Sequence, residues 1–156
     1  MDLSNNLKKG NIILKTRSTN RFDLINELVD LAVKNKEIDP LDSEGIKKAL
    51  VEREKSMSTG IGHAVAVPHC TTGKVKDIVL FMAILPKGID FDSSDSMPVR
   101  IVILLIVPKS KLAQHIKTLA NIAKLMHNEN LRDKLLLLKT SESIIKAIKD
   151  QESVNK

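Results

Sequence analysis

The sequence has few aromatic residues and one cysteine, and both shortages limit what the protein can be. Aromatic residues make up 2% of the 156 residues: there are three phenylalanines, and tryptophan and tyrosine are absent. The core must therefore consist mainly of aliphatic side chains. Because the single cysteine, Cys70, has no partner within the chain, the sequence is not one of the small secreted scaffolds that disulfides hold together.

Long hydrophobic runs are missing too. The longest are residues 78–85 and 101–107, and both are far shorter than the ~20 residues that a membrane-spanning helix needs. Residues 1–6 lack the basic and then apolar pattern of a signal peptide. We therefore expect a cytoplasmic protein that does not insert into a membrane.

Positive charge is in excess but is not concentrated. The 25 Lys and Arg residues outnumber the 19 Asp and Glu residues, and the net charge of +6 favours an anionic partner such as nucleic acid. The basic residues, however, are mixed with acidic ones, as Lys47 and Lys48 are with Glu44 and Glu52. Sites for single-stranded nucleic acid also use stacking aromatics, which this chain hardly has. We expect a solvated, lysine-rich surface and no nucleic-acid partner.

Hydrophobic spacing predicts two helices in the first third of the chain. Apolar residues recur every three or four positions over residues 21–33, the spacing of a helix with one buried face. A second helix is expected to begin at Asp42 or Ser43, either of which can cap its N-terminus, and to continue to Arg53. Two further segments have other patterns: an edge strand at residues 11–14 and a loop at residues 55–62.

Buried strands are predicted in the middle of the chain, with helices after them. Residues 78–85 and 99–107 are apolar at nearly every position, as strands covered on both faces are. Because helices precede and follow buried strands, the fold class is α/β, with helices layered on a central sheet in a single domain. The remaining predicted elements are a strand at 64–67, a surface loop at 87–98, and helices over 112–126, over 131–138 and from Ser141 or Ser143 to Ile148.

Residues 58–69 are the segment whose pattern indicates chemistry. Gly60 and Gly62 permit a positive φ, at which successive N–H groups can converge on an anion. Pro68 restricts its own backbone and that of the residue before it, so His69 is held rigidly at a strand end. A neutral imidazole held in this way can act as a nucleophile, a base or a metal ligand. The alternative is a structural histidine that bonds to the backbone.

Nucleotide and metal sites are not predicted. A dinucleotide-binding loop needs a third glycine three residues after Gly62, where Val65 stands. The spacing of His63, His69 and Cys70 matches no usual zinc pattern, and adjacent residues of a strand point to opposite faces. We therefore expect no metal, and a Cys70 side chain that fills space in the core.

Arg53 and His115 are candidates for assisting His69. An arginine at the end of the second helix can reach an anion held by the following loop and bind it through two N–H groups. His115 lies on the apolar stripe of its helix and therefore points inward. Each has a structural alternative: Arg53 as a solvated helix-end residue and His115 as a core histidine. His127, near a helix C-terminus, is explained by the helix dipole and is assigned no role.

These motifs and their order resemble those of one protein family. The matching segments are Arg53 with Glu54, residues 58–62, 66–69 and 86–91, residues 98–99 before a buried strand, and His115 with Leu119 and Ala120. On these residues the chain resembles the enzyme IIA domain of the fructose/mannitol class of the bacterial sugar phosphotransferase system. That class includes the standalone nitrogen-regulatory enzyme IIA. The resemblance extends over residues 12–148, and the run that ends in Pro68 and His69 is a specific signature.

The resemblance implies a fold and a site. The fold would be a mixed β-sheet sandwiched between helices, with residues 1–156 forming a single enzyme IIA domain whose core is residues 12–148. His69 would accept a phosphoryl group, with Arg53 beside it and His115 as the family's second histidine. The residues that would surround the phosphate are Thr59, Gly60 and Gly62. No cofactor is implied.

The resemblance also implies partners, and it leaves the biological role open. The phosphocarrier protein HPr would donate the phosphoryl group. In a regulatory or nitrogen-type enzyme IIA, the phosphorylation state would then set which protein the domain holds. In an uptake system of the fructose/mannitol type, the phosphoryl group would pass to an enzyme IIB. A protein-interaction module that is never phosphorylated is the third alternative.

Three residues depart from the family pattern. His63 stands where that loop usually has asparagine, and Ala64 where it usually has glycine, so the second half of the turn is expected to be less permissive. His63 is either an additional phosphate neighbour or a surface histidine. Cys70 stands where a glycine or another small residue is common. None of these changes removes His69.

Overall fold

Two long strands that pair along most of their length form the centre of the sheet. The structure, a computed structural model, describes residues 2–155. Its helices are α1 (Leu3–Asn6), α2 (Arg21–Lys34), α3 (Ser43–Ser56), α4 (Leu112–Met126), α5 (Glu129–Leu137) and α6 (Ser141–Val154). Its strands are β1 (Ile12–Ile13), β2 (Gly60–Gly62), β3 (Val65–Ala66), β4 (His69–Thr72), β5 (Val79–Ile89) and β6 (Val99–Pro108). Short 3₁₀ turns lie at Lys9–Asn11, Pro40–Asp42 and Lys109–Lys111.

The sheet is mixed, as the resemblance implied. β5 and β6 are antiparallel, with Phe81 opposite Leu104. β1 runs parallel to β5 on one edge, and β3 and β4 run parallel to β6 on the other. β2 completes the sheet by pairing antiparallel with β3, in the order β1-β5-β6-β3-β2. The expected α/β class, with a mixed sheet between helices, is confirmed.

The residues of β6 alternate between two cores, which explains why nearly every one of them is apolar. Ile101, Ile103 and Leu105 pack on one face of the sheet, together with side chains of α4, α5 and α6. Val102 and Leu104 pack on the other face with α2 and α3. Because side chains of a strand alternate in direction, a strand with helices on both faces must be apolar throughout.

Several expected element boundaries were wrong. Residues 60–62, expected in a loop, form β2, and β4 was not predicted as a strand. β5 continues to Ile89 into the predicted surface loop 87–98, where Phe91 and Ser93 are buried. Each of these strands is short or irregular, so its strand conformation depends on a neighbour and not on a local hydrophobic pattern.

The first helix was also missed, and a buried carboxylate holds it in place. Glu152 of α6 accepts hydrogen bonds from the backbone N–H groups of Leu3 at 2.6 Å and Ser4 at 3.0 Å. Leu3 and Leu7 are buried in the same core as α6, before the segment expected as the core. In the part of the chain that the structure describes, no helix is long and apolar enough to cross a membrane.

The turn between β2 and β3 is left-handed at three consecutive residues. Gly62 has φ +87°, His63 has φ +56° and Ala64 has φ +63°. Gly62 pairs with Val65, so His63 and Ala64 form a two-residue hairpin loop. Positive φ at both loop positions is the type I′ geometry, which favours Asn-Gly because other L-residues are strained there. The expectation of a less permissive turn agrees with this geometry.

Ala64→Gly should stabilise the protein. The left-handed conformation costs an L-residue about 1–2 kcal/mol, and glycine removes this strain. The greater freedom of glycine in the unfolded chain offsets part of the resulting gain in stability. We expect the free energy of unfolding, measured with urea, to rise by about 1 kcal/mol. The control is Ala49→Gly inside α3, which should lower it by about 1 kcal/mol. A loss of stability in both variants would contradict the strained turn.

Candidate functional site

His69 begins β4, and a hydrogen bond to the backbone of Val67 holds its ring. β4 pairs with β6 in parallel, with His69 opposite Leu105, and the Leu105 N–H donates to the Pro68 carbonyl at 2.9 Å. The Nδ1 atom of His69 lies 2.8 Å from the carbonyl oxygen of Val67. Because a carbonyl oxygen only accepts hydrogen bonds, Nδ1 carries the proton. The Nε2 atom therefore keeps its lone pair, which makes it the nucleophilic atom of the ring.

A cavity of about 350 Å³ surrounds His69 at the edge of the sheet. Its walls come from the end of α3, from the segment that leads into β2 and from one face of α4. The lining residues are Arg53, Ser58, Thr59, Ile61, Val67, His69, Leu119, Ala120 and Ala123. Since α4 lies on one face of the sheet and α3 on the other, the cavity forms where the two helical layers meet at the strand ends.

His115, on α4, lies beside His69. The ring centroids are 5.3 Å apart, and the ring planes are inclined by 47°. Burial lowers the pKa of His115, and repulsion from His69 in its protonated form lowers it further. His115 is therefore neutral near neutral pH. Its Nδ1 atom is buried without a hydrogen-bond partner among residues 2–155. A buried polar atom without a partner is uncommon in folded proteins, which makes His115 a candidate for a bond to a ligand.

Arg53 contributes the positive charge of the cavity. It lies in the last turn of α3, and its Nη1 atom donates to the carbonyl oxygen of Met57 at 2.8 Å. This bond ties the guanidinium group to the chain just after the helix ends. An arginine has five N–H donors, so further donors are available for an anion beside His69.

Glu54 is a site residue that the sequence analysis assigned no role. Its side chain is fully buried, and its carboxylate accepts hydrogen bonds from the Thr59 N–H at 2.7 Å and from the Thr59 hydroxyl at 2.5 Å. The Nη1 atom of Arg21, on α2, lies 3.8 Å from the same carboxylate. Glu54 therefore holds Thr59, a residue of the cavity wall, from the buried side of that wall. The available signal was its position next to Arg53, but its inward direction was not evident.

The predicted phosphate-surrounding residues divide into two groups. Thr59 lines the cavity, but its N–H and its hydroxyl both donate to Glu54, so it shapes the wall. Gly60 and Gly62 are not lining residues. Only Gly62 has a positive φ, and the Gly60 N–H donates to the Ser58 hydroxyl at 3.0 Å. A role of these three residues around a phosphate stays a prediction.

His69 is the histidine that lines the cavity; His115 lies behind it, and His63, His127 and Cys70 are not lining residues. The ring of His63 lies edge-on to that of His127, with centroids 5.5 Å apart. Cys70 points to the face of the sheet opposite α4, and burial raises the pKa of its thiol to about 11, which leaves little reactive thiolate. Across residues 2–155, no three or more His, Cys, Asp or Glu side chains are grouped as metal ligands.

Gly60 is required by a close approach of Ser93. A Cβ atom at Gly60 would lie 2.0 Å from the Ser93 Oγ and 2.9 Å from its Cβ. Ser93 belongs to the segment after β5, and its buried hydroxyl has no hydrogen-bond partner in the described part of the chain. The β2 strand thus packs directly against that segment, which supports the cavity wall.

Gly60→Ala should lower the free energy of unfolding by about 1–3 kcal/mol, because the added methyl group overpacks this contact. Ser93→Gly removes both atoms that the methyl group meets, so the double variant should recover most of the loss. Urea unfolding of the two single variants and the double variant measures the coupling. Gly45→Ala in α3, where no atom lies within 4 Å of the new Cβ, should instead stabilise by about 1 kcal/mol. Additive losses in the double variant would refute the contact.

Comparison with known proteins identifies the family. Residues 5–151 match the family model described as "Phosphoenolpyruvate-dependent sugar phosphotransferase system, EIIA 2". The chain belongs to this family. Its general role is therefore that of a phosphotransfer component of such a system. The family resemblance that the sequence motifs indicated is confirmed.

Relatives of this enzyme IIA domain agree with the family match. The chain is 35% identical over 117 residues to a nitrogen regulatory protein of Bradyrhizobium diazoefficiens. The aligned residues cover 75% of this chain and 76% of the relative. The crystal structure of the nitrogen regulatory protein IIA-Ntr from Neisseria meningitidis superposes with a TM-score of 0.84 at 24% identity, covering 94% of this chain and 98% of that one.

A second structure extends the fold match to a sugar-specific relative. The mannitol enzyme IIA of Escherichia coli, in complex with phosphorylated enzyme IIB, has a TM-score of 0.78 at 19% identity. The match covers 92% of this chain and 99% of the mannitol enzyme. The fold of this enzyme IIA domain is therefore common to nitrogen-regulatory and sugar-specific proteins.

Proposed function

We propose that this enzyme IIA domain is a regulatory, nitrogen-type phosphoryl carrier that accepts a phosphoryl group on the Nε2 atom of His69. The observation that carries this proposal is the hydrogen bond between His69 Nδ1 and the Val67 carbonyl. In this hydrogen bond Nδ1 is the donor, so Nε2 is left as the nucleophile. His69 and Arg53 both line the cavity. The nitrogen regulatory relative supports the regulatory role.

The proposed reaction is a transfer between two imidazoles. The Nε2 lone pair of His69 attacks the phosphorus atom of a phosphohistidine on HPr. The bond between phosphorus and the HPr nitrogen breaks as the new bond forms, and its electron pair returns to the HPr imidazole. The proton stays on His69 Nδ1, which continues to donate to the Val67 carbonyl. Because the two phosphoryl compounds are of similar energy, the transfer is reversible and needs no further energy source.

Arg53 and His115 would stabilise the charge on the phosphoryl group in transit. In phosphoryl transfer the negative charge is spread over the three equatorial oxygens, and preorganised donors near them lower the barrier. Arg53 offers its free N–H groups. His115 is neutral before transfer, and the arriving dianion would raise its pKa, so His115 can donate an N–H to a phosphoryl oxygen.

An exposed apolar surface beside the cavity suits a protein partner. We call this surface the apolar rim: it comprises Met57, Ile61, Leu112 and Ile116, each of which is exposed. Met57 lies four residues after Arg53, and Ile61 lines the cavity. On α4, Ile116 lies one helical turn before the lining residue Ala120. Direct transfer between histidines requires the partner to cover the cavity, and the apolar rim supplies area for that contact.

The alternative is a transport enzyme IIA that passes the phosphoryl group to an enzyme IIB. The mannitol enzyme IIA complexed with phosphorylated enzyme IIB favours it, since the same fold there meets such a partner. To separate the two roles, the phosphorylated domain is mixed with enzymes IIB, and transfer of the label is followed. Transfer to an enzyme IIB supports the transport role. Both roles predict a cytoplasmic protein.

Phosphorylation of His69 is tested by incubation with phosphoenolpyruvate, enzyme I and HPr, followed by intact mass measurement. We expect an acid-labile gain of about 80 Da in the native protein and none in His69→Ala. Arg53→Ala should be phosphorylated about 10²–10³ times more slowly, the usual cost of one preorganised donor.

Arg132→Ala is the matched control for Arg53→Ala. Arg132 also donates to a backbone carbonyl, that of Met126 at 2.7 Å, but it does not line the cavity. It should therefore leave the rate of phosphorylation unchanged. A mass gain that persists in His69→Ala, or no gain in the native protein, would exclude the proposed acceptor and favour a protein-interaction module that is not phosphorylated.

Ile116→Asp should weaken the docking of HPr. Ile116 is 68% exposed, and a carboxylate there would remove apolar contact area next to the cavity. We expect the rate at low HPr concentration to fall about tenfold, with the rate at saturating HPr nearly unchanged. Leu137→Asp, at a residue that is 78% exposed outside the apolar rim, should have no effect. Equal effects of the two variants would argue against the apolar rim as the docking surface.

A further inference from the structure

A second cavity lies at the opposite edge of the sheet from His69. It has a volume of about 430 Å³ and lies between the segment that follows β1 and the last residues of β5. β1 pairs with β5 only at Ile12 and Ile13, whereas β5 continues to Ile89. The cavity, which we call the edge cavity, therefore occupies the space beside β5 that a longer β1 would fill. β6 separates it from His69.

An irregularity in β5 forms one side of the edge cavity. Ile84 pairs with Ile101 and Ile89 with Val99, so β5 advances five residues where β6 advances two. The four residues between these pairs, 85–88, stand opposite Arg100 alone, and the Arg100 Nη2 atom donates to the Pro86 carbonyl at 3.0 Å. Gly88 in this segment has a positive φ. Such bulges redirect side chains, and here Lys87 is exposed at the edge cavity.

The other side of the edge cavity is a turn that internal hydrogen bonds fix. The hydroxyl groups of Thr16 and Ser18 donate to the carboxylate of Glu27 on α2, at 2.5 and 2.7 Å. Burial alone would raise the pKa of Glu27, but these two bonds, with a backbone hydrogen bond and the charge of Arg17, lower it overall, so the carboxylate is ionised and anchors the turn. Arg17 lines the edge cavity and Glu27 does not. The carboxylate of Glu27 nevertheless offsets part of the positive charge of Arg17.

The lining combines an apolar floor with positive charge and no carboxylate. Leu85 and Ile89 are buried, and Leu14 is half-buried. Lys15 and Lys87 are exposed at the edge cavity, and neither forms an ion pair within residues 2–155. The volume lies within the ~300–1,000 Å³ of ligand sites, which are mostly apolar with a few polar groups that orient the ligand.

We propose that the edge cavity binds a small organic anion with an apolar body. The body packs on Leu14, Leu85 and Ile89, and the acidic group lies between the ammonium groups of Lys15 and Lys87. A purely inorganic anion would leave the floor uncovered, and an uncharged hydrocarbon would leave both ammonium groups without a partner. Because the edge cavity does not include His69, this binding is independent of phosphorylation.

The probe is anilinonaphthalene sulfonate, whose fluorescence rises when its apolar body leaves water. We expect saturable binding that Lys15→Gln/Lys87→Gln weakens about tenfold, since each exposed charge contributes modestly. Lys134→Gln/Lys139→Gln, at two exposed lysines outside the edge cavity, is the control and should bind as the native protein does. Phenylnaphthylamine, which has the same rings without the sulfonate, should bind equally to both double variants.

The site of binding is read from amide chemical shifts. Shifts centred on Leu14, Leu85 and Gly88 are expected, and inorganic phosphate at the same concentration should not displace the probe. His69→Ala should bind the probe as well as the native protein does, so loss of phosphoryl transfer leaves this result intact. Equal affinity of the two lysine double variants, or shifts centred on the apolar rim, would overturn the proposal.

Discussion

The pairing of β6 with strands on both of its edges is the constraint on which the rest of the structure depends. β5 lies antiparallel on one edge, and β3 and β4 lie parallel on the other. This pairing places His69 opposite Leu105, at the position along β6 where His115 of α4 lies next to it. Because β6 is buried on both faces, its register is fixed by two cores at once, and a shift of one residue would exchange them.

The site is built from neighbouring residues that point in different directions. Arg53 faces the cavity while Glu54, the next residue of α3, is buried behind it and bonds to Thr59. His69 faces α4 while Cys70, the next residue of β4, packs with α2 and α3. In the first pair, the buried Glu54 carboxylate with satisfied hydrogen bonds holds the wall rigidly, and in the second pair Cys70 anchors β4 in the core.

Much of the fold could be predicted from the sequence, whereas the roles of Arg53, His69 and His115 stay predictions. The central strands, most of the helices and the fold class followed from hydrophobic spacing, and the family followed from the segments around Arg53, His69 and His115. The short strands β2 and β4 could not be predicted, because two to four residues have no periodicity of their own and are stable only when paired. That residues 1–156 form one enzyme IIA domain with a core at 12–148 stays a prediction.

The sequence by itself determined the aliphatic core and the family, since these depend on composition and on motifs that are local in the chain. Tertiary structure alone decided which nitrogen of His69 is free, how near His115 lies, and that Glu54 and Ser93 support the cavity wall. These are contacts between residues far apart in the sequence or turned inward by packing. Their distances depend on how the strands pair across β6 and on how α3 and α4 cover its two faces.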